Sequence, residues 1–204
     1  MISSSVPVKN WKKLKDYPSS LPKAARGHIW VADVSFIREI LNKQSPSPSA
    51  AEQIKRNQMF YTLYRAGKSL PRARGKSFSM VKTPLKHRSD HSTFFFPKGV
   101  LKNWPDLYNA ELNVIPLRKW VSNILPIIDV DEKNSIAHAA PGTYTLIKHY
   151  NHLHNGIAHI ENVMAVLDEP GEWVLDSKHN KLYMWPINKR PGNCARNICI
   201  PGKI

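Results

Sequence analysis

The segment from 161 to 186 constrains the fold more than any other part of the chain. It contains a turn at Asp168–Gly171, because proline presets one backbone angle and glycine tolerates a positive φ. Two short apolar runs follow, Trp173–Leu175 and Leu182–Trp185, joined by a polar loop in which Asn180 suits the left-handed conformation. Period-two alternation lets apolar side chains of the two runs meet across an antiparallel ladder, so the segment predicts a β-hairpin. The side chains predicted to meet are Trp173, Leu175, Leu182 and Met184.

Proline is frequent along the whole chain, with 16 prolines against 9 glycines in 204 residues. Prolines interrupt long helices, so this usage favours short strands joined by turns. The sequence therefore predicts a mainly β protein. Hairpins are predicted at 60–74, with Gly67 in the turn, and at 121–139, and further strands at 29–34, 93–96 and 197–201. An edge strand is predicted at 110–120, and two helical turns at 35–42 with Ser35 as N-cap. An insertion at 43–57 and a surface loop at 76–92 complete the prediction.

Positive charge is the strongest signal in the composition. The formal net charge is +15 at pH 7, and residues 65–102 contain ten Lys or Arg and one acidic residue, Asp90. A basic stretch of this kind is typical of a nucleic-acid or polyanion-binding module. The second half is more balanced, since eight acidic residues lie between 129 and 176. A basic module at 65–102 is therefore the alternative function, and nucleic acid is not the partner we expect.

Targeting and metal-binding signals are sparse. No run of 18 or more apolar residues is present, so no membrane span is predicted. A polar stretch follows Met1, which predicts no signal peptide in this chain. Cys194 and Cys199 lack a second pair or nearby histidines at zinc-finger spacing, so no structural metal site is predicted there. Their pairing stays open.

Two arginines and one tryptophan are candidate ligand contacts. Arg72 and Arg74 are two residues apart on a predicted strand, so their side chains share one face. Two guanidinium groups can bind the carboxylate or sulfate of an acidic sugar or another polyanion; the alternative is an exposed basic strand that pairs with Asp or Glu. Trp104, in a predicted turn, is a candidate for stacking on a sugar ring. Trp173 and Trp185 fit the core of their hairpin better.

Histidines and acids give no catalytic assignment. His149, His152 and His154 are concentrated enough to be potential zinc ligands, but surface histidines fit the stretch better, and no metal or cofactor is predicted. Glycoside hydrolysis needs two carboxylates across a sugar ring. The candidate acids lie at turns or strand ends, where turn chemistry explains them more simply, so the catalytic residues stay unassigned. These acids are Asp129, Asp131, Glu169, Glu172 and Asp176.

Three motifs together resemble a group of secreted right-handed parallel β-helix proteins, which includes glycoside hydrolases and polysaccharide-lyase-like proteins. The most specific motif is E-N-V-x-x-x-L-D-E-P-G-E-W-x-L-D, followed by L-Y-x-W-P, at 161–186. G-H-I-W-V-A-D-V at 27–34 and L-Y-R-A-G-K-S-L-P-R-A-R at 63–74 are similar to segments of that group in the same order. Ala66 stands where the group's pattern has an asparagine suited to the turn.

The resemblance implies an antiparallel β-domain, sandwich- or barrel-like, attached to the opening strands of a right-handed parallel β-helix. No internal repeat of 20–50 residues is visible, so the β-helix coils themselves are not expected in this chain. The implied divisions are opening β-helix strands at 1–34, a helical turn with a Ser/Pro-rich insertion at 35–58, the antiparallel domain at 59–190, and the start of a returning β-helix strand at 191–204.

The resemblance also implies a function. Its members are carbohydrate-active, glycosidase- or polysaccharide-lyase-like, and extracellular or periplasmic, and their partner is a polysaccharide or oligosaccharide. In parallel β-helix enzymes the chemistry usually lies on later coils. The expectation is therefore an N-terminal fragment of such a protein without a complete active site, inactive by itself.

Overall fold

The computed structural model describes residues 5–44, 60–81, 93–115, 122–139, 156–191 and 198–201. The chain divides into two compact units. Unit 1 comprises Met1–Ala73 and Met164–Ile204, and unit 2 comprises Arg74–Val163. Within the described ranges, no helix is long and apolar enough to cross a membrane. The boundaries expected near residues 34, 58 and 190 stay predictions.

Short strands dominate both units. In chain order the elements are β1 (Ser5–Pro7), β2 (Lys12–Lys13), β3 (Trp30–Asp33), α1 (Ser35–Gln44), β4 (Leu63–Arg65), β5 (Lys68–Leu70), β6 (Phe78–Ser79), β7 (Thr93–Phe95), β8 (Glu111–Ile115), β9 (Asn123–Asp131), β10 (Ile136–Ala139), β11 (Ile157–Glu161), β12 (Trp173–Asp176), β13 (Lys181–Met184) and β14 (Ile198–Pro201). Single 3-10 turns lie at Lys23–Ala25, Leu107–Asn109 and Met164–Val166.

The described residues of unit 1 form two four-stranded sheets. One has the strand order β1-β14-β4-β5 and the other β12-β13-β3-β2. All of their ladders are antiparallel. Each sheet joins strands from both parts of the chain that make up unit 1, because β12, β13 and β14 come from the second part. Unit 1 therefore depends on pairing between residues more than 100 positions apart.

The predicted hairpin at the C-terminal side of unit 1 is confirmed. β12 and β13 pair antiparallel, with Trp173 opposite Met184 and Leu175 opposite Leu182. Asn180, in the connecting loop, has a φ of 54°, which is the left-handed conformation expected there. The alternation of apolar residues thus predicted both the element and its register.

A proline–glycine turn precedes this hairpin, as predicted. The N–H of Glu172 donates to the carbonyl of Glu169 over 3.3 Å, which leaves Pro170 and Gly171 at the centre of the turn. Gly171 has a φ of +101°, and a Cβ at this position would lie 3.2 Å from Cγ1 of Ile187. Both the backbone conformation and the lack of space require glycine.

Apolar side chains cover both faces of the β12-β13-β3-β2 sheet. Trp173, Leu175 and Leu182 pack with buried residues of α1 and of the segment 60–70. On the opposite face, Val174 belongs to a second cluster with residues from 21–29 and 164–167. A one-residue slip in register would exchange the two sets of side chains, so burial on both faces specifies the pairing strongly.

The helix α1 begins as predicted, but its first turn is capped differently. Ser35 is the first helical residue, not the N-cap. The carboxylate of Asp33 accepts a hydrogen bond from the Ser35 backbone N–H (2.9 Å) and another from its hydroxyl (2.5 Å). An aspartate two residues before the free N–H groups provides the same acceptor function as a capping serine, with a negative charge at the positive end of the helix.

The predicted hairpin at 60–74 is present as β4 and β5. Leu63 lies opposite Leu70, and Arg65 opposite Lys68. The two turn residues are Ala66, with a φ of 49°, and Gly67, with a φ of 78°. Two consecutive positive φ angles define the turn type that matches the twist of a two-residue hairpin.

The described residues of unit 2 form a six-stranded sheet with the order β6-β11-β8-β9-β10-β7. The predicted hairpin at 121–139 is confirmed as β9 and β10, with Val130 opposite Ala137. The core face of the sheet carries buried apolar side chains from β11, β8 and β9. These include Leu112, Val114, Leu125, Ala158 and Ile160.

Two predictions in unit 2 are corrected. β8 was expected to be an edge strand because Pro116 follows it, but it lies between β11 and β9. The strand ends at Ile115, so the proline does not interrupt the ladder; Pro116 itself lies outside the described residues. The expected loop at 76–92 contains the short strand β6, whose Phe78 pairs with Ala158. Residues 82–92 of that loop lie outside the described residues.

The mainly β class with antiparallel sheets is confirmed, whereas the described residues do not show the opening strands of a parallel β-helix that the resemblance implies. Every ladder between the named strands of the described residues is antiparallel. Arg72 and Trp173 form an isolated parallel bridge in unit 1.

Candidate functional site

Arg72, the first candidate contact, lies in an aromatic niche of unit 1. Its guanidinium carbon is 5.2 Å from the centre of the Tyr61 ring and 5.7 Å from that of Trp173. The residue is only 9% exposed. Trp173 in turn stacks on Phe60 at 5.6 Å and donates from Nε1 to the carbonyl of Leu70. A guanidinium between aromatic faces stabilises this core by cation–π attraction.

Arg74, the second candidate contact, is exposed and belongs to unit 2. It forms an isolated antiparallel bridge with Glu161, the last residue of β11. The next N–H in the chain, that of Gly75, donates to the carbonyl of Ile160 over 2.8 Å. Of the two arginines, Arg74 is the one that presents its side chain to solvent, where a carboxylate or sulfate can reach it.

Trp104, the candidate stacking residue, is half-buried in unit 2. Its carbonyl accepts a hydrogen bond from Leu107 over 3.0 Å, at the start of a 3-10 turn. Tyr108 in the same segment is 42% exposed. Part of the Trp104 indole thus remains available to a ligand.

A polar cluster lies on the face of the β11-β8 pair that is opposite to the apolar core. His159 and Glu161 share this face of β11, and Asn113 and Glu111 lie directly across from them on β8. His159 Nε2 and Glu161 Oε1 are 2.8 Å apart. Glu111 is fully buried, and His159 is 8% exposed. These four residues are called the carboxylate–imidazole cluster below.

The cluster places two carboxyl groups and an imidazole on one face of the β11-β8 pair, with the imidazole next to Glu161. Glu111 and Glu161 are directly opposed in the antiparallel pair, so their side chains lie on the same face. Retaining glycosidases likewise use two carboxyl groups, about 5–5.5 Å apart. A sugar ring must, however, reach both carboxylates, and Glu111 has no exposed surface. The cluster is therefore better suited to internal polar contacts of unit 2 than to glycoside cleavage.

Sequence reasoning assigned no role to Glu111 or His159. The signal lay in the alternation: each of the two strands carries polar residues at every second position, with apolar residues between them. Two polar residues on each of two neighbouring strands indicate a polar site where the strands meet. The pairing of β8 with β11, across 40 residues or more, was needed to see it.

Three of the five acids that the sequence placed at turns or strand ends accept hydrogen bonds within turns: Asp131, Glu172 and Asp176. Glu172 accepts hydrogen bonds from the N–H groups of Asp168 and Glu169. Asp176 accepts from two N–H groups of the β12–β13 loop, and its other oxygen lies 2.7 Å from His179 Nδ1.

Asp131 has the same role in the β9–β10 turn. Hydrogen bonds from the side chain and backbone of Asn134 hold the pKa of Asp131 below its usual value. The carboxylate is therefore ionised at neutral pH and serves the turn, as the sequence reasoning inferred for this group of acids.

Metal ligation is not supported in the part of the chain that is described. No group of three or more His, Cys, Asp or Glu residues there is arranged to hold a metal ion. The histidines His149, His152 and His154 lie outside the described residues, as does Cys194.

The comparisons with known proteins add one likeness in fold. No family model and no curated protein matches the chain. A solved structure named "Glycoside hydrolase" superposes with a TM-score of 0.62 at 20% sequence identity. The match covers 98% of this chain and 31% of that one, so the chain spans less than a third of the length of its structural neighbour. At this identity the match shows a shared fold.

Proposed function

We propose that this chain is part of a carbohydrate-active protein, glycosidase- or polysaccharide-lyase-like. The observation that carries the proposal is the superposition of nearly the whole chain on one third of a chain named glycoside hydrolase. The motifs at 27–34, 63–74 and 161–186 support it, because their order resembles the same class of proteins. The proposed partner is a polysaccharide or oligosaccharide, met outside the cell or in the periplasm.

In this proposal the chain has a framework role: it supports the fold of the full-length protein and does not itself contain a complete active site. The described strands form antiparallel sheets, and the one parallel contact is the bridge between Arg72 and Trp173. We propose that the coils of a right-handed parallel β-helix lie elsewhere in the full-length protein. The buried position of Glu111 supports this role, since it closes the carboxylate–imidazole cluster to a sugar.

The experiment compares binding with turnover. The purified 204-residue chain is incubated with plant and algal polysaccharides, while its binding is measured by affinity electrophoresis. Retarded migration without released sugar is the expected result. Release of reducing or unsaturated sugars by this chain alone would refute the framework role, and a lack of retardation on every polysaccharide would refute the carbohydrate-active function itself.

The alternative function, a basic nucleic-acid or polyanion module at 65–102, is tested alongside. One of its cations, Arg72, lies between aromatic rings, which removes it from a solvent-facing patch. Binding to heparin or DNA that falls steeply with salt, and that exceeds binding to any polysaccharide, would favour this alternative.

A further inference from the structure

The short strand β2 is an edge strand of unit 1 in a segment rich in lysine. In the strand order β12-β13-β3-β2, β3 lies on one side of β2, and the described residues place no strand on its other side. Lys9, Lys12, Lys13 and Lys15 are all exposed. The segment 9–15 is called the lysine edge below, and it lies outside every site considered above.

The backbone of the lysine edge presents hydrogen-bonding groups to a further strand. Lys13 pairs with Trp30 of β3, and the N–H of Leu14 donates to the carbonyl of Ile29 over 2.9 Å. Hydrogen-bonding direction alternates along an antiparallel strand, so the N–H and C=O of Lys13 point away from β3. An extended chain that lies beside β2 can bond to both of these groups.

The other sheet edges of the described residues are less suited to a charged partner strand. The two edges of the unit 2 sheet are connected by a hydrogen bond from the N–H of Val81, just after β6, to the carbonyl of Phe95 in β7. In unit 1, the N–H of Ala73 donates to the carbonyl of Trp173 along the edge of β12. β1 ends in a proline, which has no N–H to donate. β5 carries one lysine, Lys68.

Charge determines which strand the lysine edge accepts. Residues 9–16 contain four lysines and one acid, Asp16. Asp33, on the neighbouring strand β3, is already bonded to Lys181. Lysines on an edge strand repel the like-charged edge of a second copy, which protects against aggregation. The same lysines attract carboxylates, so the edge disfavours pairing with itself and favours a strand of opposite charge.

We propose that the lysine edge binds an extended acidic segment of a partner protein, which adds to the β12-β13-β3-β2 sheet as a fifth strand. Backbone hydrogen bonds to Lys13 provide one part of the affinity, as in other cases of strand addition. Ion pairs between the partner's carboxylates and the lysine ammonium groups provide the other part. The inference concerns a protein partner and does not depend on the proposed carbohydrate-active function.

The test measures the binding of labelled peptides to the full 204-residue chain by fluorescence anisotropy. The probe is a short peptide of alternating glutamate and valine. It is compared with a peptide of alternating lysine and valine, and with the acidic peptide N-methylated at every peptide bond, which keeps the charge but removes the hydrogen-bond donors. The acidic peptide is expected to bind and the basic one not to bind. N-methylation is expected to weaken binding by about 5-fold or more, the equivalent of at least one lost hydrogen bond.

Two variants at one position separate charge from backbone. Lys13→Gln is expected to weaken binding of the acidic peptide about 2- to 5-fold and to reduce its salt dependence. Lys13→Pro removes the same charge and also the outward N–H, so it should weaken binding further, while proline remains compatible with an edge strand. If Lys13→Pro fails to fold, the N-methylated peptide still tests the backbone contribution. Lys68→Gln, on the edge strand β5, is the matched control and is not expected to change the affinity.

Each other outcome overturns the inference. Equal binding of the N-methylated and unmodified acidic peptides would refute strand addition, because charge attraction alone would explain the affinity. Equal affinities of the Lys13→Gln and Lys68→Gln variants would show that the peptide binds elsewhere. A lack of binding to the acidic peptide at low salt, or equal binding of the basic peptide, would refute the acidic partner. Self-association of the chain that Lys13→Pro abolishes would assign the edge to a second copy instead.

Discussion

At the scale of the residue, Ala66 occupies a backbone conformation that alanine adopts at a cost. Its φ of 49° is in the left-handed region. There the Cβ of an ordinary L-residue lies too close to the following carbonyl oxygen, which costs roughly 1–2 kcal/mol of conformational free energy. Asparagine tolerates the conformation because its side chain hydrogen-bonds locally. The motif comparison had already pointed to asparagine at this position.

Replacing Ala66 with Asn is expected to stabilise unit 1. The gain should be about 0.5–1 kcal/mol, because the turn type of this hairpin favours Asn followed by Gly. Urea unfolding followed by tryptophan fluorescence measures it. Ala24→Asn is the control, since Ala24 is exposed and does not have a positive φ. An unchanged or lower midpoint for the Ala66 variant would contradict the assignment of the turn.

A second residue-scale prediction concerns Asp33. Hydrogen bonds lower the pKa of Asp33 to about 2. The bond from Lys181 has the largest effect, and two bonds from Ser35 add to it. A carboxyl group whose pKa is lower in the folded state adds stability above its unfolded pKa, near 3.8, and loses it as the pH falls toward 2. The side chains of Asp33 and Lys181 are 52% and 39% exposed, so the contribution is limited to under about 1 kcal/mol.

Asp33→Asn is accordingly expected to lower the free energy of unfolding at pH 7 and to have a diminishing effect between about pH 4 and pH 2. Unfolding curves at pH 7, 4 and 2.5 provide the measurement. Asp16→Asn, at an exposed carboxyl group, serves for comparison. A destabilisation that persists unchanged at the lowest pH would show that the charge of Asp33 is not its cause.

At the scale of the element, α1 is attached to the β12–β13 loop by one side chain. Arg38 donates from Nε to Asn180 Oδ1 over 2.9 Å and from a terminal nitrogen to the carbonyl of Ser177. A planar guanidinium can satisfy two acceptors at once, which a lysine cannot do in the same way. The start of the helix is also connected to the loop, because the N–H of Val34 donates to the carbonyl of Asn180.

Arg38→Ala is expected to destabilise the protein by about 1–2 kcal/mol, because the hydrogen bonds are charge-assisted and partly buried. Hydrogen exchange should show faster exchange in α1 and in the loop than elsewhere in unit 1. Glu39→Ala, an exposed neighbour on the same helix, is the matched variant. Equal exchange rates in the two variants would mean that Arg38 does not fasten the helix to the hairpin.

Elements were predictable wherever local pattern decides them. Alternation was enough to place the apolar residues of β12 and β13 opposite one another, and the Asn180 turn followed from its residue type. The position of β8 inside its sheet was not predictable, because its partner β11 lies more than 40 residues further along the chain. The two-residue spacing of Arg72 and Arg74 was enough to make both candidate ligand contacts. It could not predict their partners, because Trp173 and Glu161 are distant in the sequence.

At the scale of the whole molecule, one large side chain adds to the strand pairing that joins the two chain segments of unit 1. Trp173 is fully buried, stacks on Phe60 and donates to the carbonyl of Leu70. Arg72 lies over its ring. The indole thus contacts three residues of the first segment from a strand of the second.

Two substitutions of Trp173 should separate packing from hydrogen bonding. Trp173→Phe is expected to cost about 1–3 kcal/mol, since it removes the donor to a buried carbonyl and some volume. Trp173→Ala should cost about 3–5 kcal/mol through the cavity it leaves. Urea titrations provide both values, with Trp104→Phe, at a half-buried tryptophan, as the control. Losses no larger than those of the Trp104 variant would show that the two segments are joined by other contacts.

The interrupted course of unit 1 along the chain has a consequence for synthesis on the ribosome. Residues 74–163, which form unit 2, are all translated before the first residue of β12, β13 or β14 exists. β3, β1 and β4 must therefore wait for their partners from 173–201 while unit 2 already has its own. Nascent chains stalled so that residues 1–172 have left the ribosomal exit tunnel should resist protease in unit 2 and remain sensitive in the first segment, because long-range strand pairing cannot precede its second strand.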